Sequence, residues 1–142
     1  MIYLIYSYKE KKIGHLLHLL CFESIYNIKQ LPQEFSTYGI VHGDLWLENI
    51  LVDEDFKMTM IDFQDCEKHY YIHDLAVPIY SAMEYSFSGG ENISDYGRSI
   101  ASALLEGYKE ENDISPEVIE KLPLFMNVLS LYADIGGRSY KP

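Results

Sequence analysis

Basic residues are scarce in this chain. Lys and Arg number 11 against 22 Asp and Glu, for a formal net charge of −11. Phosphate contacts need clustered cations, so a free-standing nucleic-acid binder is disfavoured, and an anionic membrane surface is an equally poor partner. A cationic substrate, or an anionic one neutralised by metal, is compatible. Cysteine is nearly absent: Cys21 and Cys66 are the only two. They offer no disulfide framework, and a reducing cytoplasm is expected. Long apolar runs are lacking as well. The opening MIYLIYSYKEKK has no basic leader and is too short for a signal peptide or a membrane span, so a soluble chain is expected. No internal repeat and no low-complexity tract is present.

What is present is a sizeable apolar fraction, 48% hydrophobic and 14% aromatic over 142 residues, enough for the core of one domain. Thirteen tyrosines against one tryptophan give many half-buried positions with a polar tip. Residues 11–28 carry Ile13, Leu16, Leu17, Leu20 and Ile25 at roughly helical spacing, and Pro32 then disfavours helix at Leu31. YGIV is a short strand running into His42. NILVD and FKMTMID read as two strands joined by the acidic connection DEDF, with Phe56, Met58 and Met60 on one face and Lys57 and Thr59 on the other. From HDLAVPIYSAMEY onward the pattern is helical, with GGEN as a loop.

A further helix is expected over SDYGRSIASALLEGYKEE, capped by Ser94, with Tyr96, Ile100, Ala103, Leu104 and Gly107 on one face. Ser115-Pro116 is a helix start, and Pro123 predicts a break before a separate final helix. The pattern is a small sheet element on a mostly helical body.

The chemistry concentrates between Val41 and Asp65, in VHGDLWLENILVDEDFKMTMIDFQD. Asp44 and Asn49 are five apart, the spacing of the protein-kinase catalytic loop. Asp62 follows a short strand, where a kinase carries a metal-binding carboxylate. Mg²⁺ is a hard cation that wants oxygen ligands, so Asn49 and Asp62 fit the metal role. A separate carboxylate must take the proton of the acceptor hydroxyl, and Asp44 fits that role. Isolated Asp and Asn residues usually serve turns and caps. Asp65 is equally well read as a second acidic group near the metal or as a loop carboxylate. Cys66, His69 and His73 have superficial metal-ligand spacing but no evident fourth ligand, so a packed aromatic-rich turn is preferred to zinc. His15 and His18 read as ordinary helical residues. Glu106, Glu110, Glu111, Asp113, Glu117 and Glu120 are most simply a solvated face, with a wall for a cationic substrate as the alternative.

HGDLWLEN, MIDF and HDLA, in that order and separation, resemble the aminoglycoside phosphotransferase and choline kinase family of small-molecule kinases. The resemblance runs from about Tyr38 onward. It implies an α+β, mostly helical fold: the C-terminal lobe of a protein-kinase-like fold, with a small β-hairpin carrying the catalytic and metal-binding loops. It implies Asp44 as catalytic residue, Asn49 and Asp62 as Mg²⁺ and ATP-cofactor ligands, and His42 and Asp74 as loop supports. The implied reaction moves the ATP γ-phosphate to a hydroxyl of a small molecule. HGDLW is similar to fructosamine kinases, whereas DFQDC is similar to bacterial members that include homoserine kinases, so the acceptor stays open.

The family's N-terminal lobe holds a glycine-rich loop and a lysine, and no G-x-G-x-x-G occurs in this sequence. Residues 1–142 are therefore expected to form a single partial domain with the N-terminal lobe missing. Residues 1–37 would be a leading helix and connection, 38–65 the catalytic loop and metal-binding hairpin, and 66–142 the helical body. A split kinase completed by an N-lobe chain, self-association of the uncovered face, and a non-catalytic remnant or binding module are the readings this leaves. Turnover by this chain alone is not expected.

Overall fold

The computed structural model describes residues 11–90 and 92–135. The apolar opening and Gly136-Gly137 lie outside the described residues, as do the side chains of Ile13, His15, Leu16, Leu17 and His18. The architecture is mostly helical, with two small antiparallel sheets.

Helix α1 (Lys11–Lys29) leads by a turn into strand β1 (Tyr38–Val41). β1 pairs with β4 (Glu67–Tyr70), Tyr38 opposite Tyr70 and Val41 opposite Glu67. Between them stands the predicted hairpin, β2 (Ile50–Val52) against β3 (Met58–Met60). Its turn is built on Asp53, whose Oδ1 accepts from the N–H groups of Asp55 and Lys57 at 3.0 and 2.8 Å. Such Asx geometry is what a short acidic connection offers.

Helix α2 (Tyr71–Ser81) is the centre of the body. Ile72, Leu75, Ala76, Val77, Ile79 and Tyr80 are all buried, so this helix is apolar almost all round and needs neighbours on every side. It packs against β1, α3 (Ile93–Glu111) and α5 (Leu122–Ile135), and runs directly into a π-helical turn, Ala82–Ser86. Phe125 and Met126 of α5 complete the core with Tyr70 and Met83. α1 lies on α5, where the Cys21 thiol donates to the Asn127 carbonyl at 3.0 Å and the Asn127 amide donates to Ser24 at 3.3 Å. The Ser115 cap, Pro116 at the start of α4 (Pro116–Ile119) and a separate α5 with Pro123 in its first turn all appear as expected. A first-turn proline removes an N–H that has no helical partner anyway.

Four expectations need correction. β4 replaces the expected turn after Cys66, because EKHY is a strand whose only buried residue is Tyr70, too polar to show as one. The cap of α3 is Asn92, whose Oδ1 accepts from Ser94 N–H at 2.8 Å; Ser94 is the capped residue. The stripe of α3 keeps Tyr96, Ile100 and Leu104 against the core but not its other two expected members. Gly97 is the buried residue, since a Cβ there would lie 2.7 Å from Met83 Sδ, and Leu105 and Tyr108 join the stripe while Ala103 and Gly107 face solvent. Finally, β3 is shorter than expected and begins at Met58. Met58 and Met60 are exposed, and Phe56 sits in the turn at φ 61° rather than on the strand. No helix among the described residues is long and apolar enough to cross a membrane.

Candidate active site

The loop that carries Asp44 and Asn49 begins where β1 leaves the core. Val41 and His42 are buried, and the chain then turns at Gly43 with φ 83°. Only glycine suits this position, because a Cβ would also collide with the Asp65 carbonyl. Asp74, in the first turn of α2, clamps the turn. Its carboxylate accepts from His42 N–H at 2.6 Å and from Gly43 N–H at 3.1 Å. His73 Nε2 donates to the Gly43 carbonyl at 3.3 Å, because a carbonyl can only accept. The peptide before Asp44 is thus held from both sides by adjacent residues of one helix.

His42 ties this loop to the next. Its Nε2 faces the Ile61 carbonyl at 2.9 Å and must donate. Nδ1 is then the acceptor, and Asp44 N–H approaches it at 3.4 Å. The ring also packs on Phe63, centroids 4.7 Å apart. The His42 ring therefore links the backbone of Asp44 to the residue preceding Asp62.

Asn49 ends a 3-10 turn (Leu47–Asn49). Its amide nitrogen donates to the Asp44 backbone carbonyl at 2.8 Å and to Asp44 Oδ2 at 3.1 Å. That leaves Asn49 Oδ1 as the amide atom available to a cation. The Asn49 carbonyl accepts from Ile61 N–H at 3.0 Å, so the two loops are also stitched through the hairpin base. Asp62 has left-handed backbone, φ 64° and ψ 62°, which aspartate tolerates better than most residues. It precedes a second 3-10 turn, Phe63–Asp65.

Asp44 has two acidic neighbours, Asp65 and Asp62. The Asp44 carboxyl is held above its usual value, first by burial, next by the charge of Asp65, and in smaller part by Asp62; the Asn49 hydrogen bond and His42 act in the opposite sense. A hard cation would relieve this repulsion. Among the described residues no group of three or more His, Cys, Asp or Glu is arranged to hold a metal ion. Asn49 Oδ1 and the Asp62 carboxylate are the oxygens that could serve a divalent cation needing few protein ligands, one that completes its shell with phosphate and water.

Asp44 and Asn49 are thus in direct contact, and Asp62 and Asp65 stand within electrostatic reach of Asp44. The Cys66, His69 and His73 set does not assemble. Cys66 is exposed, while the His69 and His73 rings pack 4.6 Å apart and both meet Phe125. His69 is held below its usual value by burial and then by His73, and its buried Nδ1 has no hydrogen-bond partner. The acidic set on α3 and the following loop is exposed, as a solvated face should be.

Two supports escaped sequence reasoning. Ser81, buried in α2, accepts from Leu47 N–H at 3.3 Å, and His73 braces Gly43. Ser81 carries no pattern that distinguishes it from a core residue, and His73, although it opens the HDLA run, was given no role in holding the loop. Trp46 closes the loop edgewise on Tyr80 and Tyr85, centroids 6.0 and 5.7 Å away.

Three comparisons bear on this geometry. The phosphotransferase enzyme family (APH) matches residues 25–111. A homoserine kinase of Parvibaculum lavamentivorans is 28% identical over 96 residues, covering 68% of this chain and 28% of the relative. Among solved structures, amicoumacin kinase hAmiN in complex with AMP-PNP, Ca²⁺ and Ami superimposes with a TM-score of 0.71 at 23% identity, a likeness of fold. It is covered over 40% of its length by 92% of this chain. The chain therefore spans well under half of either relative.

Proposed function

This chain belongs to the phosphotransferase enzyme family, and on that premise we propose that it carries the catalytic half of an ATP-dependent phosphotransferase acting on a hydroxyl of a small molecule. The observation that carries the reading is the Asn49 amide bound to the Asp44 carboxylate beside the left-handed Asp62.

In this reading Asp44 orients the acceptor hydroxyl and takes its proton. Burial and the neighbouring Asp65 make Asp44 a stronger base than a free aspartate, which helps proton removal near neutral pH. Asn49 N–H fixes the carboxylate's orientation. Asn49 Oδ1 and Asp62 would hold Mg²⁺, which when bound offsets the negative charge of the phosphates. His42, His73 and Asp74 keep the two loops in register. Hydroxyl compounds of homoserine size are natural acceptors to try, given the named relative.

The phosphates also need a clasp on their far side. This reading makes the chain a C-terminal lobe and draws the glycine-rich loop and lysine from polypeptide beyond these 142 residues. The exposed apolar groups of the hairpin, Leu51, Val52, Met58 and Met60, are the surface such a lobe would cover; a second copy is the competing cover. The test is γ-phosphate transfer to a panel of small alcohols by this chain combined with a kinase N-terminal lobe. Asp44→Ala should lower turnover by about 10²-fold or more. Unchanged turnover removes Asp44 as the base, and no transfer under any pairing leaves a non-catalytic binding module.

A further inference from the structure

A cleft lies at the opposite end of the β1–β4 sheet from Asp44. β1 runs from Tyr38 to Val41, with Asp44 beyond its Val41 end, whereas this cleft opens beside its Tyr38 end. It encloses about 470 Å³ and is lined by Phe35, Ser36, Tyr71, Tyr108, Asn112 and Asp113. Three aromatic rings, a hydroxyl, an amide and a carboxylate meet there, with no Lys or Arg in the lining.

Two of the rings belong to residues tied into the fold, Tyr71 and Tyr108. Tyr71 begins α2, and its N–H donates to the Thr37 carbonyl at 3.0 Å. Its hydroxyl donates to the Phe35 carbonyl at 3.4 Å, and its ring lies so close over Gly39 that a Cβ there would collide with it. Tyr108 is in the last turn of α3, where its carbonyl accepts from Asn112 N–H at 2.9 Å. Burial and the neighbouring Tyr71 hold its hydroxyl above the usual value, so it stays neutral at physiological pH. Phe35 is 93% exposed, an aromatic face at the lip with solvent over it.

The electrostatics of the cleft have one sign. Asp113 places a carboxylate at the rim. The 19-residue helix α3 ends there, and a helix C-terminus carries partial negative charge. Lys109, in the same last turn, is exposed and outside the lining. Aromatic faces attract cations through their quadrupoles, and most strongly where water is partly excluded. The whole chain, at −11, adds a favourable field.

We propose that this cleft binds a small organic ammonium ion, held over the rings of Phe35, Tyr71 and Tyr108 and paired with Asp113. An anion is repelled by the rim, and a neutral apolar ligand gains nothing from it. The site is separate from the catalytic loop, so its occupancy does not depend on the phosphotransferase reading.

The test uses the full chain and tetramethylammonium as probe, followed by two-dimensional amide NMR. Sodium at equal ionic strength and tert-butyl alcohol, a neutral molecule of the same shape, are the controls. Saturable shifts are expected at residues 35–37, 71, 108 and 112–113, with none there from either control. Phe35→Ala and Asp113→Asn remove exposed side chains and leave the core intact; each should weaken binding about two- to fivefold. The proposal is overturned if tert-butyl alcohol gives the same shifts, if the shifts spread unsaturably over all acidic surface, or if both variants bind as the parent does.

Discussion

Asp74→Ala is the sharpest probe of how the loop from His42 to Asn49 is held. The carboxylate accepts two backbone N–H groups, at 2.6 Å from His42 and 3.1 Å from Gly43. Hydrogen bonds to a charged group contribute about 1.5–3 kcal/mol each. His42 is buried, so its N–H finds no water after truncation and the upper part of that range applies. Gly43 is only half-buried, and rehydration recovers much of its share. Asp74 also lies in the first turn of α2, where a negative charge contributes a further ~0.5 kcal/mol. The expected loss is about 3–4 kcal/mol, a large part of a stability on the order of 5–15 kcal/mol. Urea unfolding measures it, and amide hydrogen exchange localises it: exchange at His42 and Gly43 should accelerate more than exchange in α5. A loss under about 1 kcal/mol with both amides still protected would refute the clamp, because buried N–H groups cannot lose their acceptor so cheaply.

Other outcomes follow from the same geometry. Gly43→Ala forces a side chain into left-handed backbone and onto the Asp65 carbonyl; it should cost about 2 kcal/mol or more in urea unfolding, and a neutral result would mean the turn is built differently. Asp65→Asn should lower the Asp44 pKa in a carboxyl ¹³C NMR titration, since the Asp65 charge helps hold it up. Linkage gives the sign for stability. Between the ordinary and the raised Asp44 value the folded chain holds more protons than the unfolded one, so stability falls as pH rises through that window, and Asp65→Asn should flatten the fall. Met58→Lys with Met60→Lys places charge on exposed hairpin positions; light scattering should show less self-association than the parent, and equal mass for both would remove the hairpin as the sticky face.

The site was legible in the sequence because its residues are local. Asp44 to Asn49 is one loop, and Asp62 follows one short hairpin, so spacing alone brings them near each other. Of the long-range supports, His42 and Asp74 came with the family resemblance, whereas Ser81 and His73 were missed. Ser81 and His73 act on backbone groups 34 and 30 positions away, and a hydrogen bond to a carbonyl or an N–H leaves no trace in the partner's residue type. β4 was hidden for a related reason: it is a strand by virtue of pairing with β1, and its residues Glu67, Lys68 and His69 carry no apolar alternation. On α3 the sequence pattern found Tyr96, Ile100 and Leu104 but missed Gly97, which registers as a gap until Met83 is seen to fill it.

The central claim is that Asn49 and Asp62 hold a divalent cation beside Asp44. Mn²⁺ added with a non-hydrolysable ATP analogue reports this directly through paramagnetic broadening in amide NMR. The account predicts that broadening centres on the Asn49 side-chain amide and the Asp62 backbone N–H, and that Asp62→Ala abolishes it there. Broadening centred on the exposed acidic turn at Asp53 to Asp55, and indifferent to Asp62→Ala, would contradict it.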